Sequence, residues 1–281
     1  MMGFKCGIVG LPNVGKSTLF NALTETASAE AANYPFCTIE PNTGIVSVPD
    51  KRLKELSDLA NSQKIIPAQM QFVDIAGLVS GASKGEGLGN KFLAHIREVD
   101  AIVHVLRCFE DEDITHVENN INPVRDADII ETELMLADIE SLDRQIQNLT
   151  KKAKTNDKYA KSDLLLMNEL YALLSEGKPI RLGNFSDDKA KQYKSFNLLT
   201  SKPILYVCNV NEDDAASGNV FTKLIYEKAK SETCEAVIIS GSIEAEIALL
   251  DYNEKVDFLK DLDLKESGLS RLIKAGFGLL D

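Results

Sequence analysis

The segment GLPNVGKST, from Gly10 to Thr18, decides the fold of this chain. It has the spacing GxxxxGK[ST], follows the apolar run Phe4–Val9 and precedes the helix-forming stretch TLFNALT. Glycines let successive backbone N–H groups turn inward toward phosphate oxygens, and the start of the next helix adds its positive dipole end. Lys16 can supply a positive charge, and the Ser17 hydroxyl is a hard oxygen ligand for Mg²⁺. The segment therefore predicts a phosphate-binding loop.

Short apolar runs, most of them rich in β-branched residues, predict the sheet around this loop. They are Phe4–Val9, Ile45–Val48, Met70–Val73, Ala101–Leu106, Ile204–Cys208 and Ala236–Ile239. Their nearly continuous hydrophobicity is typical of strands that are buried on both faces. Because helical stretches separate them, we expect an α/β fold with a mostly parallel sheet flanked by helices, that is, a P-loop NTPase fold.

The span 107–203 between the fourth and fifth runs is too long for a single crossover helix. Apolar residues recur there at coiled-coil spacing: Met135, Ile139, Leu142, Ile146 and Leu149, then Leu166, Leu170 and Leu173. The pattern predicts an inserted, coiled-coil-like α-helical hairpin, although two ordinary amphipathic surface helices would also fit. We expect the P-loop domain to comprise residues 1–132 and 201–281, and the helical insertion to comprise residues 133–200.

Composition and charge narrow the class of protein. The chain has 281 residues, a formal net charge of −12 and 44% hydrophobic residues, as expected of a soluble globular protein. No apolar run reaches the roughly 18 residues of a membrane span. The five cysteines are widely spaced without a CxxC pair, and the N-terminus lacks a signal-peptide cleavage site, so we expect a cytoplasmic protein without a membrane partner.

The loop at residues 151–163 is positive in this otherwise acidic chain. Its five lysines, set against two aspartates, are Lys151, Lys152, Lys154, Lys158 and Lys161. A solvated loop and a contact for RNA or another polyanion both fit this pattern. Any polyanion contact made by this chain is expected there, because the acidic remainder would repel a phosphate backbone.

Two further segments carry candidate metal and switch residues. Asp74 ends the third strand, where a carboxylate can hold Mg²⁺ directly or through water. Gly77 lets its backbone N–H approach the terminal phosphate, and the glycine-rich stretch 80–90 suits a loop that becomes ordered around that phosphate. Thr38 and Thr43 both qualify as a second Mg²⁺ ligand. Thr38 is the better choice, because Thr43 adjoins the second strand.

The end of the fifth strand predicts the base-binding motif. Asn209-Val210-Asn211-Glu212 stands where GTPases carry Asn-Lys-x-Asp, whose Asp accepts two hydrogen bonds from guanine. Glu212 is one methylene longer and should lose that contact, so we expect adenine to be preferred. The register Asn211–Asp214 also reads NxxD, but Asn209 directly adjoins the strand. The loop Ser240-Gly241-Ser242, after the sixth strand, is expected to close over the base.

Together, GLPNVGKST, YPFCTIEPNTG, DIAGLVSGASKGEGLGN and NVNE resemble the Obg-like ATPase family, often called YchF, within the translation-factor-related P-loop NTPases. The resemblance covers residues 3–276 and includes the helical insertion. It implies hydrolysis of ATP in preference to GTP, a requirement for Mg²⁺ and association with the ribosome or its large subunit. Members of this family continue into a small β-rich TGS domain. Because the sequence ends at Asp281, we expect that domain to be missing.

The resemblance also implies roles for individual residues. Residues 13–18 would bind phosphates, namely Asn13, Val14, Gly15, Lys16, Ser17 and Thr18. Ser17 and Thr38 would bind Mg²⁺, and Asn209, Val210 and Glu212 would frame adenine. Asn13 matches a residue that coordinates K⁺ in related NTPases, and the alternative is that it only shapes the loop.

Catalysis needs a group other than the glutamine that orients water in Ras-like GTPases, because Leu78 occupies that place. By resemblance His116 would position or deprotonate water, assisted by Lys16 and Gly77. The alternative is that His116 is an ordinary surface-loop histidine.

The resulting expectation is a monomeric, Mg²⁺-dependent ATPase that acts as a nucleotide-controlled switch on the ribosome. Two alternatives remain open at this stage: a GTPase of the Obg-related class, and a nucleotide-gated binding scaffold whose hydrolysis is incidental.

Overall fold

The computed structural model describes residues 4–31, 43–75, 88–111, 120–153 and 158–279. In these ranges the strands form a six-stranded sheet of order β2-β3-β1-β4-β5-β6. The strands are β1 (Phe4–Val9), β2 (Thr43–Ser47), β3 (Gln69–Asp74), β4 (Ala101–Arg107), β5 (Ile204–Asn209) and β6 (Glu235–Ile239). Each predicted apolar run overlaps one of them, with bounds that differ by at most two residues, and Val48 lies just outside β2.

The strand directions confirm a mostly parallel sheet. β1 pairs in parallel with β3 and β4, and β5 pairs in parallel with β4 and β6. β2 is antiparallel to β3 and lies at one edge. The alternation of strands and helices does not specify this reversal, because an edge strand can be added in either direction. The carboxyl ends of β1, β4, β5 and β6 therefore share one edge of the sheet.

Helices pack around the sheet and extend the fold beyond it. They are α1 (Lys16–Ala31), α2 (Arg52–Ala60), α3 (Leu88–Arg97), α4 (Pro123–Ala153), α5 (Lys158–Ser175), α6 (Asp187–Lys194), α7 (Val220–Ser231), α8 (Gly241–Leu249), α9 (Tyr252–Asp261) and α10 (Gly268–Gly278). β4 and β5 are buried along their whole length. None of the helices in the described ranges has both the length and the low polarity that a bilayer crossing requires.

The helical hairpin has a hydrophobic core of its own. Leu142 of α4 is fully buried there among residues of α5 and of the returning chain. The buried members of this second core are Leu142, Leu166, Met167, Leu170, Leu174, Ile180, Phe196 and Leu198. The predicted Leu173 is only half-buried, and the neighbouring Leu174 fills that place. The hairpin thus buries apolar surface independently of the sheet, as a helical pair must to stay ordered.

α4 links the hairpin to the sheet. Its first half, with Ala127, Ile130 and Leu134, packs in the main core, whereas Leu142 belongs to the second core. The helix runs unbroken across residues 132 and 133, so it belongs to both predicted domains. The boundaries themselves stay a prediction.

A buried network of charges also joins the hairpin to the sheet. The Arg181 guanidinium pairs with Glu131 of α4 and donates to Glu232 Oε2 at 2.9 Å. Lys228 Nζ lies 2.6 Å from Glu232 Oε1, and the Tyr206 hydroxyl of β5 donates to Glu232 Oε2 at 3.0 Å. These contacts pair the buried charges with one another, which offsets much of the cost of removing them from water.

Candidate functional site

The loop between β1 and α1 has the backbone geometry that its glycines predict. Gly15 has φ +95°, a left-handed conformation, and a Cβ there would lie 2.2 Å from Asn209 Nδ2. A Cβ on Gly10 would lie 2.4 Å from the Val105 carbonyl oxygen. Both positions exclude a side chain, because the loop is pressed against the ends of β4 and β5. Asn13 also has a positive φ, +62°, which asparagine tolerates better than most residues.

Lys16 is held inside this loop at the start of α1. Its side chain is buried, and its Nζ donates a hydrogen bond to the Leu11 carbonyl oxygen at 2.6 Å. Burial lowers the pKa of Lys16 to about 8, against the opposing effect of the Asp74 carboxylate. The pKa of Asp74 is raised by its own burial, an effect that the positive charge of Lys16 opposes. The loop therefore places a partly desolvated cation beside a carboxylate, where it can be drawn out to a phosphate.

Asn209, at the end of β5, links this strand by hydrogen bonds to the phosphate loop and to the turn after β6. Its Nδ2 donates to the Val14 carbonyl oxygen at 2.9 Å, and its Oδ1 accepts from the Gly241 N–H at 3.0 Å. The side chain is 7% exposed. Both ends of the amide are bonded to backbone, so in this structure Asn209 fixes the position of the phosphate loop relative to the turn after β6.

These elements enclose a cavity of about 530 Å³ at the carboxyl edge of the sheet. Its lining contains the predicted residues Asn13, Gly15, Lys16, Ser17, Thr18, Asn209, Val210 and Gly241. It also contains Asn211 of the predicted base motif and Ser242 of the predicted base loop, together with Phe109 and Asp111, which were not predicted from the sequence. The volume is within the range of small-molecule sites in proteins. Phosphate-loop residues and residues that follow β5 and β6 thus share one cavity.

Three of the predicted nucleotide-binding residues stand apart from this lining. Val14 points into the core and takes part through its carbonyl oxygen. Ser240 is buried, with its Oγ 3.0 Å from the Ser242 Oγ. Glu212 is exposed in the short 3₁₀ helix Glu212–Asp214, and the neighbouring Asn211 lines the cavity instead.

Phe109 and Asp111 form the wall of the cavity that follows β4. A sequence signal was available, because they come directly after the strand Ala101–Arg107, whose carboxyl end lies at the same edge as the phosphate loop. Their segment is attached to β5 by the Cys108 N–H, which donates to the Asn209 carbonyl oxygen at 2.8 Å. We call Phe109–Asp111 the β4 wall.

Two of the predicted oxygen ligands for a divalent cation lie in the described ranges. The Ser17 hydroxyl is exposed in the cavity, and the Asp74 carboxylate is half-buried close to Lys16. Hydroxyl and carboxylate oxygens suit Mg²⁺, so the residues present fit the predicted ion. Among the described residues no group of three or more His, Cys, Asp and Glu could hold a metal by itself.

Several predicted residues lie outside the described ranges. Thr38, Gly77, Leu78 and His116 are among them, so the structure does not place the second metal ligand or the candidate catalytic groups. Thr43, the alternative to Thr38, is a buried residue of β2.

A family model described as a 50S ribosome-binding GTPase matches residues 5–169. The Ribosome-binding ATPase YchF of Pasteurella multocida is 55% identical over 280 residues, which cover 100% of this chain and 77% of that protein. The protein of the same name from Bacillus subtilis is 52% identical, covering 99% of this chain and 76% of that protein.

The fold comparison agrees with these relatives. The structure of the Schizosaccharomyces pombe YchF GTPase superposes with a TM-score of 0.86 at 36% identity, over 99% of this chain and 76% of that one. The match includes the helical hairpin as well as the sheet. This chain therefore has the same P-loop fold and the same insertion.

Proposed function

Because the chain belongs to the YchF family, we propose that it binds ATP in the cavity at the carboxyl edge of the sheet and hydrolyses it with Mg²⁺. The observation that carries this proposal is the shared cavity in which Lys16 and Ser17 lie with Asn209 and Gly241. Lys16 and Ser17 would contact the triphosphate of a nucleotide bound there, and Asn209 and Gly241 would lie near its base. We further propose that nucleotide binding and hydrolysis switch the protein between two states.

At the phosphate end, we propose that Lys16 leaves the Leu11 carbonyl oxygen and contacts the β and γ phosphates. Ser17 and Asp74, with Thr38, would hold Mg²⁺. The ion neutralises charge that develops on the phosphate oxygens when it is bound. The backbone N–H groups of residues 13–18 would donate to the same oxygens, because the loop leads into the start of α1.

For the chemical step, we propose that His116 positions the attacking water and that the Gly77 N–H contacts the γ phosphate. A neutral imidazole can accept a proton from water, whereas Leu78 cannot. For Asn13, the left-handed backbone supports a role in shaping the loop, and its place in the cavity lining supports a K⁺ contact. K⁺ dependence of turnover separates the two roles.

At the base end, we propose that adenine is preferred over guanine. Guanine-binding proteins place a short carboxylate in the lining, whereas Glu212 lies outside it on an exposed 3₁₀ helix. Buried Val210, with Asn211, occupies that side of the cavity. GTP is the second candidate substrate, since the matching family model and the superposed structure are both named as GTPases.

We also propose the ribosome as partner, because the relatives at 50–55% identity are named ribosome-binding. A cytoplasmic monomer is the form that fits this role. Lys151 and Lys161 are exposed at the facing ends of α4 and α5, where an RNA backbone would meet positive charge. With Lys152, Lys154 and Lys158 they form the proposed RNA contact.

A side-by-side hydrolysis assay with ATP and GTP, with and without K⁺ and 50S subunits, tests these proposals. We expect Mg²⁺-dependent turnover that is faster for ATP at low substrate concentration, and we expect 50S subunits to alter it. Faster turnover of GTP would overturn the choice of base. Unchanged turnover in the His116→Ala variant would remove the catalytic assignment and favour a binding scaffold whose hydrolysis is incidental.

A further inference from the structure

We propose that Arg107 is a positioning residue, which holds the β4 wall (Phe109–Asp111) in place and thereby sets nucleotide affinity. The inference rests on the proposed function, in which the cavity behind this wall is the nucleotide site. It concerns a residue that lines no part of the cavity itself and acts through the wall.

The contacts of Arg107 define the arrangement. Its Nε donates to the Phe109 carbonyl oxygen at 3.1 Å, and one terminal nitrogen donates to the Asp111 carbonyl oxygen at 3.1 Å. Its Cζ lies 4.8 Å from the centre of the Phe109 ring. One planar cation thus fixes two carbonyl groups and one aromatic ring of the same short segment.

Burying the Arg107 guanidinium costs desolvation free energy, which its contacts with the wall must offset. Arg107 is the last residue of β4 and is 1% exposed, among the largest fully buried side chains of the described residues. A methionine or leucine would fill a buried site without the cost of desolvating a charge. Only a guanidinium combines a rigid fork of donors with a flat face that stacks on an aromatic ring.

The surrounding contacts show where Arg107 acts. Cys108 is fixed by neighbours: its N–H donates to the Asn209 carbonyl oxygen, and its carbonyl oxygen accepts from Asn219 Nδ2 at 2.7 Å. The same Asn219 nitrogen donates to Asp214 Oδ2 at 2.7 Å. Beyond Cys108 the chain leaves the sheet, and there the carbonyl oxygens of Phe109 and Asp111 accept hydrogen bonds from the Arg107 side chain. Its removal should loosen the wall while leaving the strand paired.

The experiment compares Arg107→Met and Arg107→Lys with wild type and with Arg144→Met. Arg144 is a matched control, because it is an arginine of the hairpin whose side chain is 66% exposed. Kd is measured with a fluorescent ATP analogue, and KM and kcat are measured by phosphate release. We expect Arg107→Met to raise Kd and KM about tenfold. The variant loses two hydrogen bonds and a ring contact, and only part of that lost free energy appears as weaker nucleotide binding, because Arg107 acts indirectly through the wall. We expect kcat to stay within about twofold, since none of the proposed catalytic groups (Lys16, Gly77 and His116) belongs to the wall.

The lysine variant keeps the charge and the stem but loses the fork and the flat face. The lysine variant should bind the ATP analogue with an affinity between those of wild type and Arg107→Met. If Arg107→Met does not fold, the lysine variant tests the same expected rise in Kd and KM. A fall in melting temperature with unchanged Kd and KM in a folded variant would show a purely structural role and overturn the inference. A fall in kcat at unchanged KM would also overturn it.

A double-mutant cycle with Phe109→Leu tests whether Arg107 acts through the wall. If it does, adding Arg107→Met to Phe109→Leu raises Kd by less than Arg107→Met does alone, because the ring contact is already lost while the two carbonyl contacts remain. Fully additive effects would contradict the proposed route. Failure of the proposed function looks different: wild type and Arg144→Met would then bind the ATP analogue no better than the Arg107 variants.

Discussion

The nucleotide cavity and the helical hairpin are built by different means. Lys16 and Asn209 shape the cavity through hydrogen bonds to backbone carbonyl and N–H groups, and Gly15 leaves room for that contact. The hairpin is held by apolar side chains, with Leu142 and Leu170 fully buried in its own core. The difference indicates that small polar changes should alter binding in the first region, whereas loss of packed volume should lower stability in the second.

Changing Lys16→Ala should give the largest effect on function. The variant loses the cation that the loop holds beside the phosphate site, so we expect kcat/KM for ATP hydrolysis to fall about 100- to 1000-fold. Phosphate release under multiple-turnover conditions measures the loss. Lys189→Ala, which removes a half-exposed lysine of α6, is the control and should leave kcat/KM unchanged.

Changing Leu170→Ala should break the hairpin without touching the cavity. Removal of this fully buried side chain leaves a void in the second core, so we expect the free energy of unfolding of the hairpin to fall by about 3 kcal/mol. Urea unfolding followed by circular dichroism measures it. Leu165→Ala is the matched control, since Leu165 is 69% exposed and should cost less than about 0.5 kcal/mol. A large loss of ATP affinity in Leu170→Ala would contradict the separation of the two regions.

Changing Asn209→Ala tests whether polar contacts alone set the shape of the cavity. The variant loses two backbone hydrogen bonds, to Val14 and Gly241, so we expect Kd for ATP to rise about tenfold. Isothermal titration calorimetry measures the change. Asn168→Ala is the control, because Asn168 makes one backbone hydrogen bond on an exposed face of α5 and its loss should not alter Kd. Equal affinities in wild type and Asn209→Ala would show that the loops keep their places without this amide.

The last prediction is a pH dependence of binding, which needs no substitution. The pKa of Lys16 is about 8 in the folded protein, against an ordinary value of 10.5. Affinity for ATP should be constant below about pH 8 and fall by up to about tenfold per unit above it, because the neutral amine offers phosphate no charge. Between these two pKa values the unfolded chain binds more protons, so the contribution of Lys16 to the free energy of unfolding rises with pH.

Measurements of Kd from about pH 7 to about pH 9.5 check this dependence. The Lys16→Met variant is the control, and its weak affinity should not change through the same range. A wild-type Kd that falls with rising pH would contradict the sign.

The sequence predicts the phosphate loop and the six strands well, because each depends on local spacing that the chain must keep. The packing of the hairpin follows the apolar spacing too, apart from Leu174, which replaces the predicted Leu173. The reversed direction of β2 could not be predicted, since pairing direction at an edge depends on tertiary contacts. Nor could the double backbone contact of Asn209, because Val14 and Gly241 are distant from it in sequence and meet only in the folded sheet.

Phe109 and Asp111 line the cavity but were not predicted, because no recognised motif marks the end of β4. The general rule that ligands bind at the carboxyl ends of parallel strands would have found them. Arg107 carried no signal at all, because a buried arginine cannot be told from an exposed one by sequence alone.

The central claim is that the cavity is built for ATP. Calorimetric titration of the wild-type chain with ATP and with GTP, each in the presence of Mg²⁺, tests it most directly. We predict a lower Kd for ATP, because Glu212 is not part of the cavity lining, whereas Val210 and Asn211 are. An equal or lower Kd for GTP would contradict the claim.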